Sequence, residues 1–159
     1  MDALAVAKKR NLVFRGTSRL PPENPLCLIS LSDGGKDAVS IREFDRDPKT
    51  FVAEGFSLPE GKQHVSCVDR DTLLVARDGC EGNLTKGGYP FVVKELKRAR
   101  PLSEAREIFR VGPTDGGTSP FVLRDIEAHI HPTGAIRAIS SFVSEYVIFR
   151  PESIDLSSR

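Results

Sequence analysis

Three times along this 159-residue chain a short apolar run passes into a turn, and a second run of strand character follows. The first runs are "LISLSDGG" (28–35), "LLVARDG" (73–79) and "AISSF" (138–142), each read as an inner strand. Their outer partners are "AVSIREF" (38–44), "FVVKEL" (91–96) and "EYVIF" (145–149), which begin 53 and then 54 residues apart. A further strand follows the first two pairs, around Thr50–Val52 and Glu107–Val111. Four strands recurring at roughly 40–50 residues is the rhythm of propeller blades. A sandwich would take the same strands but supplies no reason for the spacing.

The remaining segments fit an all-β chain. Strand character falls at Leu12–Arg15, Leu26–Ser32, Ala38–Phe44, Val65–Val68, Thr72–Arg77, Phe91–Leu96, Glu107–Val111, Ile126–His131, Ile136–Phe142 and Glu145–Phe149. Turn clusters separate these runs: "PPENP" (21–25), "SDGGKD" (32–37), "DRDPK" (45–49), "GPTDGGTSP" (112–120) and "HPTG" (131–134). The only helical hint is "PLSEAREIF" (101–109), where Ser103 could cap one turn while Ile108 and Phe109 suit a strand equally well. Residues 78–90 hold four glycines between two strands, far more than the roughly 2–5 residues of an ordinary hairpin loop. The expectation is a surface loop inside one blade, with Tyr89 packed back on the sheet and Pro90 at the strand start.

These strands predict a partial β-propeller of about two to three four-stranded antiparallel blades, with blade-like units at about 26–58, 64–111 and 126–150 and no catalytic domain.

Composition excludes several functions. Lys plus Arg (23) nearly cancels Asp plus Glu (22), so the charge does not point to nucleic acid or to a membrane. The densest basic run, "KELKRAR" (94–100), reads as a solvated strand end. Cys27, Cys67 and Cys80 are odd in number and lack metal-ligand spacing, which suits reduced thiols and a cytoplasmic location. Charges at residues 8–10 interrupt any signal-like core, and no apolar run approaches the ~18 residues of a membrane span.

The chemistry-bearing residues do not converge. A nucleophile elbow needs G-x-S-x-G, and the nearest string, "GFSLP" (55–59), ends in proline with no helix behind it. "DGGTSP" (115–120) lacks the lysine and helix of a phosphate cradle. In "DIEAHIHPTG" (125–134) the period of a strand would set Glu127, His129 and His131 on one face, a set that could in principle hold zinc. The plainer reading is the wet face of an amphipathic strand, and His64 is a lone strand-edge histidine. The expectation is therefore no catalytic residue, no cofactor and no metal site.

One stretch carries a family likeness. "DTLLVARDGCEGNLTKGGYPFVVKELKRARPLSEAREIF" (71–109) resembles the propeller of bacterial peptidases of the prolyl oligopeptidase family. Those proteins share an aspartate-bearing strand, a glycine-containing loop ending in a "GYP" element, and a basic strand with R-x-x-P-L. Upstream, "CLISLSDGGKDAVSIREFDRDPKTFVAEGFSLPEGKQHVS" (27–66) is similar to the family's preceding blade, and "DALAVAKKRNLVFRG" (2–16) to the propeller entry. The likeness covers about residues 2–111. It departs where the family commonly has tryptophan and this chain has Leu12, Phe14 and Cys67. The resemblance implies a propeller that covers an α/β-hydrolase domain and restricts access to short peptides. It makes the chain a non-catalytic propeller segment, inactive alone, whose partners are the missing blades and hydrolase domain or a further copy of itself. An autonomous β-rich interaction module with its own protein partner is the alternative.

Overall fold

A computed structural model describes residues 11–19, 25–78, 84–124 and 131–149, and the statements below concern these residues. They are built almost wholly from strands. The first group is β1 (Leu12–Arg19), β2 (Leu26–Asp33), β3 (Val39–Asp45), β4 (Thr50–Phe51) and β5 (Ser57–Gly61). The second is β6 (Gln63–Cys67), β7 (Thr72–Arg77), β8 (Val92–Lys97) and β9 (Arg106–Arg110). The third is β10 (Gly117–Val122), β11 (Thr133–Ser140) and β12 (Val143–Ile148). Each group is one antiparallel sheet. The first has the order β1-β2-β3-β4, with β5 also on β3; the others run β6-β7-β8-β9 and β10-β11-β12. The chain is thus a partial β-propeller.

Alternation explains how the sheets stack. Leu26 and Leu28 of β2, with Ile41 of β3 and Leu58 of β5, point to the second sheet and meet Cys67, Leu73, Val75 and Leu96. The intervening residues of the second sheet, Leu74, Ala76 and Val93, point the other way and meet Ala135 of the third. A strand buried on both faces reads as a continuous apolar run rather than an alternating one, which is what "TLLVA" in β7 shows. Cys27, Ile29 and Leu31 form a further cluster on the first sheet's opposite face with Leu12, Phe44 and Phe51. Gly34 and Gly35, at φ +68° and +80°, make the tight turn that joins β2 to β3.

Several expectations need correction. The runs read as inner strands, at 28–35, 73–79 and 138–142, are not innermost: β2, β7 and β11 are second in their sheets, behind β1, β6 and β10. The hairpin rhythm was visible in the sequence, but the strand preceding each hairpin was weakly patterned. β10 begins inside the supposed turn cluster 112–120 and runs past it, because a strand seated against the second sheet accepts Gly117 and Pro120. β5 was also missed. The helical hint resolves into a single 3-10 turn, Leu102–Glu104, without a side-chain cap, followed by β9. Phe142, expected in a strand, sits instead at the β11–β12 turn. Of the strand expected at Ile126–His131, residues 126–130 lie outside the described residues, and His131 is an exposed residue ahead of β11.

Candidate functional site

The seam between the first two sheets carries the most specific polar chemistry. β3 places Glu43 on the face that holds Ile41, so its carboxylate enters an apolar interface and is 0 % exposed. A charge so placed must be paired and hydrogen-bonded. Arg98, one residue past β8, supplies a bidentate partner: Nη2 donates to Oε1 at 2.9 Å and Nη1 to Oε2 at 3.0 Å. The Phe56 amide adds a third bond to Oε2 at 2.8 Å. Nε of Arg98 donates to Asp71 Oδ1 at 2.8 Å, and Nη2 donates to the Arg70 carbonyl at 2.7 Å. The guanidinium also lies 4.9 Å from the Phe56 ring centroid. The bonds to Glu43, foremost, and to Asp71 hold the Arg98 pKa above its ordinary value. The basic run 94–100 is therefore not simply a solvated strand end. Lys97 is exposed, but the Arg98 side chain is 22 % exposed and fastens two sheets.

A shallow cleft opens where β6 and β10 meet the loop before β8. It is lined by His64, Tyr89, Pro90, Gly117, Ser119 and Ile136, among others. The loop is shaped by Thr85: its amide donates to the Tyr89 carbonyl at 2.8 Å, its carbonyl accepts from Gly88 at 2.9 Å, and Gly88 takes φ +79°. Tyr89 does not pack back on the sheet as expected; it is 53 % exposed. Pro90 is buried in its place, and Lys62 Nζ stands 5.8 Å from the tyrosine ring. Gly117, at φ +124°, comes so close that an added Cβ would lie 2.9 Å from Tyr89 Cβ. Loss of water around His64 pushes its imidazole pKa down.

Among the described residues, no hydrogen bond joins His64 to a serine hydroxyl or a carboxylate, so no triad relay is assembled. The Thr118 hydroxyl donates to the Ile136 carbonyl at 2.9 Å, and the Ser66 hydroxyl to the Pro120 carbonyl at 3.0 Å. The Thr118 amide donates to Pro90 O at 2.8 Å. Arg124 donates to the Cys67 carbonyl and, at 3.2 Å, to that of Val68. The third sheet is thereby tied to the second along the edge of β10.

The other candidates disperse. In "GFSLP", Phe56 is buried and Ser57 opens β5 as an exposed residue, with no helix after it. Residues 115–120 run from a turn into the first four residues of β10. Glu127 and His129 lie outside the described residues, which among themselves hold no cluster of three His, Cys, Asp or Glu fit for a metal. Cys27 and Cys67 are free and buried, and burial pushes the Cys67 thiol up to about 12, which favours the protonated thiol over the thiolate. Cys80 is outside the described residues. Among the described residues, no helix is long and apolar enough to cross a membrane.

Comparison with known proteins agrees with the fold. No family profile matches the chain. It is 44 % identical over 149 residues to the uncharacterized peptidase y4nA of Sinorhizobium fredii, covering 94 % of this chain and 20 % of that protein. It is 31 % identical over 118 residues to the uncharacterized peptidase RP174 of Rickettsia prowazekii, covering 69 % of this chain and 16 % of that protein. Among solved structures, a post-proline cleaving enzyme from Rickettsia typhi superposes with a TM-score of 0.75 at 22 % identity, over 96 % of this chain and 25 % of that one. A prolyl endopeptidase structure superposes with a TM-score of 0.55 at 14 % identity, over 89 % of this chain and 21 % of that one. The chain thus spans about a fifth of the length of the peptidases it resembles, and its sheets match the propeller region of prolyl endopeptidases. The likeness to the prolyl oligopeptidase family read from the sequence holds.

Proposed function

We propose that this chain is a non-catalytic segment of the propeller of a prolyl-oligopeptidase-like serine peptidase. In that role its blades help to wall off a hydrolase domain and limit access to short peptides, and bond breaking is left to residues elsewhere. The observation that carries this reading is the joint one: relatedness to peptidases across nearly the whole chain, with three stacked antiparallel sheets of propeller form. Its partners on this reading are the remaining blades and the hydrolase domain, or another copy of the chain, in the cytoplasm; nucleic acid and membrane are not among them. The near-balance of charge supports that exclusion.

A fluorophosphonate probe together with proline-containing peptides tests the reading. The purified chain should take no label and cleave nothing, while addition of a hydrolase-bearing partner should give activity that depends on this chain. Stoichiometric labelling of one serine in the chain alone, with peptide cleavage in step, refutes the non-catalytic role. A second reading, an autonomous β-rich interaction module, draws on the exposed apolar side chains of the third sheet, Tyr146 and Ile148 among them. It gains if the chain binds a partner that has neither blades nor a hydrolase domain.

A further inference from the structure

The two ends of the seam between the first and second sheets differ. At one end Glu43 and Arg98 satisfy each other. At the other, three buried side-chain atoms have no hydrogen-bond partner among the described residues: Ser32 Oγ, Gln63 Oε1 and Arg77 Nη1.

Strand periodicity brings the three residues together. In β2, Leu28 faces the second sheet, so Ser32, four residues on, faces it too. In β7, Leu73 and Val75 face the first sheet, and Arg77 continues that face. Cys67 and the partly buried Val65 of β6 also face the first sheet, which gives Gln63 the same direction. Gln63 is the register partner of Arg77. Its Nε2 donates to the Val39 carbonyl at 2.6 Å, and Val39 adjoins the Leu31–Ser40 pair at the Ser32 end of β2. Facing and register thus set all three residues at the same end of one interface.

The chemistry of the set is selective. Gln63 Nε2 donates to both the Val39 and Pro59 carbonyls, the latter at 3.0 Å, which fixes the amide so that Oε1 is the atom left over. Arg77 donates through Nε to the Asp78 carbonyl at 2.8 Å and through Nη2 to that of Glu60 at 3.4 Å, leaving Nη1 as a charged donor. A carbonyl acceptor disfavours an anion here, and a guanidinium disfavours a cation. A guest must donate to one group and accept from the other, and buried groups of this kind are seldom left unsatisfied. Water does both, and buried waters typically make about three hydrogen bonds.

We propose that this end of the seam is a binding site for an internal water molecule, held between Gln63 Oε1 and Arg77 Nη1 with the Ser32 hydroxyl as its further partner. The first two sheets are then joined by an ionic clasp at one end and by water at the other.

A high-resolution crystal structure of the whole chain, with one crystal soaked in bromide, tests the assignment. The expected result is an ordered water within about 2.7–3.2 Å of both Gln63 Oε1 and Arg77 Nη1, without anomalous signal from bromide. A direct Gln63–Arg77 hydrogen bond overturns the proposal, and so does a bromide peak at that position. In solution, the Gln63 side-chain amide protons should show cross-relaxation with a long-lived water in the wild type, lost in Arg77→Met. A wild type without that signal contradicts the assignment independently of how the variant folds, and without bearing on the peptidase reading.

Discussion

Replacing Arg98 by alanine would leave the Glu43 carboxylate fully buried, with the Phe56 amide as its remaining donor among the bonds described above. Breaking a buried pair from one side is costly, about 3–5 kcal/mol, because the surviving charge is uncompensated. The expected outcome for Arg98→Ala is a loss of that order in urea unfolding. Glu43→Leu combined with Arg98→Leu should recover much of it, since an apolar pair of similar volume carries no stranded charge. A small loss in Arg98→Ala, with no recovery in the double variant, would show that the clasp does not fasten the seam. This contact was half legible in the sequence. Period two along "VVKELKR" turns Leu96 inward and Lys97 outward, which brings Arg98 back toward the first sheet. Its partner stands fifty-five positions away on another sheet, a distance that no local pattern reports.

At the scale of elements, the third sheet is held at its entry by Asp115, just before β10. Arg137 of β11 donates to it through Nε at 3.0 Å and through Nη2 at 3.2 Å, and the Gly112 amide donates at 2.7 Å. These bonds, that of Arg137 first, hold the Asp115 carboxyl below its usual value near 3.8. The unfolded chain therefore takes up this proton at higher pH than the folded one does. The stabilisation is complete well above that unfolded value and is lost as pH falls through the lower, folded one. Unfolding midpoints measured from neutral pH down through the carboxylate range should fall on the acid side. Asp115→Asn should be less stable than wild type at neutral pH and show a shallower acid decline. Equal acid slopes in the two proteins would remove Asp115 from the account. The hairpins β2–β3 and β7–β8 were readable because glycine turns and apolar runs are local signals. β5 and β10 were not, because their exposed or proline-bearing sequences become strands only when a neighbouring sheet completes them.

On the scale of the whole molecule, the two seams take up the two faces of the middle sheet, while among the described residues the third sheet packs through one face. Ala135 and Phe149 meet the second sheet, and Phe109 stacks 5.6 Å from Phe149 across that seam. The opposite face carries Phe121 and Tyr146, with ring centroids 5.8 Å apart, and Ile148 beside them. Tyr146 is 68 % exposed, and Ile148 is exposed as well. At the adjacent hairpin turn Phe142 stands in solvent, followed by exposed Val143. Grouped apolar side chains of this kind favour association. On the first two seams the same type of face is covered by the aliphatic face of another sheet, so a further sheet is the partner whose shape and chemistry match. For the purified chain in solution, the nearest source of such a sheet is a second copy. Equilibrium sedimentation across a wide concentration range should therefore show reversible self-association, weakened by Tyr146→Ser combined with Ile148→Ser. Those substitutions alter exposed positions, so the variant should keep its unfolding midpoint while losing the larger species. A wild-type chain that stays monomeric at every concentration and unfolds cooperatively at high temperature would mean that the third sheet needs no cover.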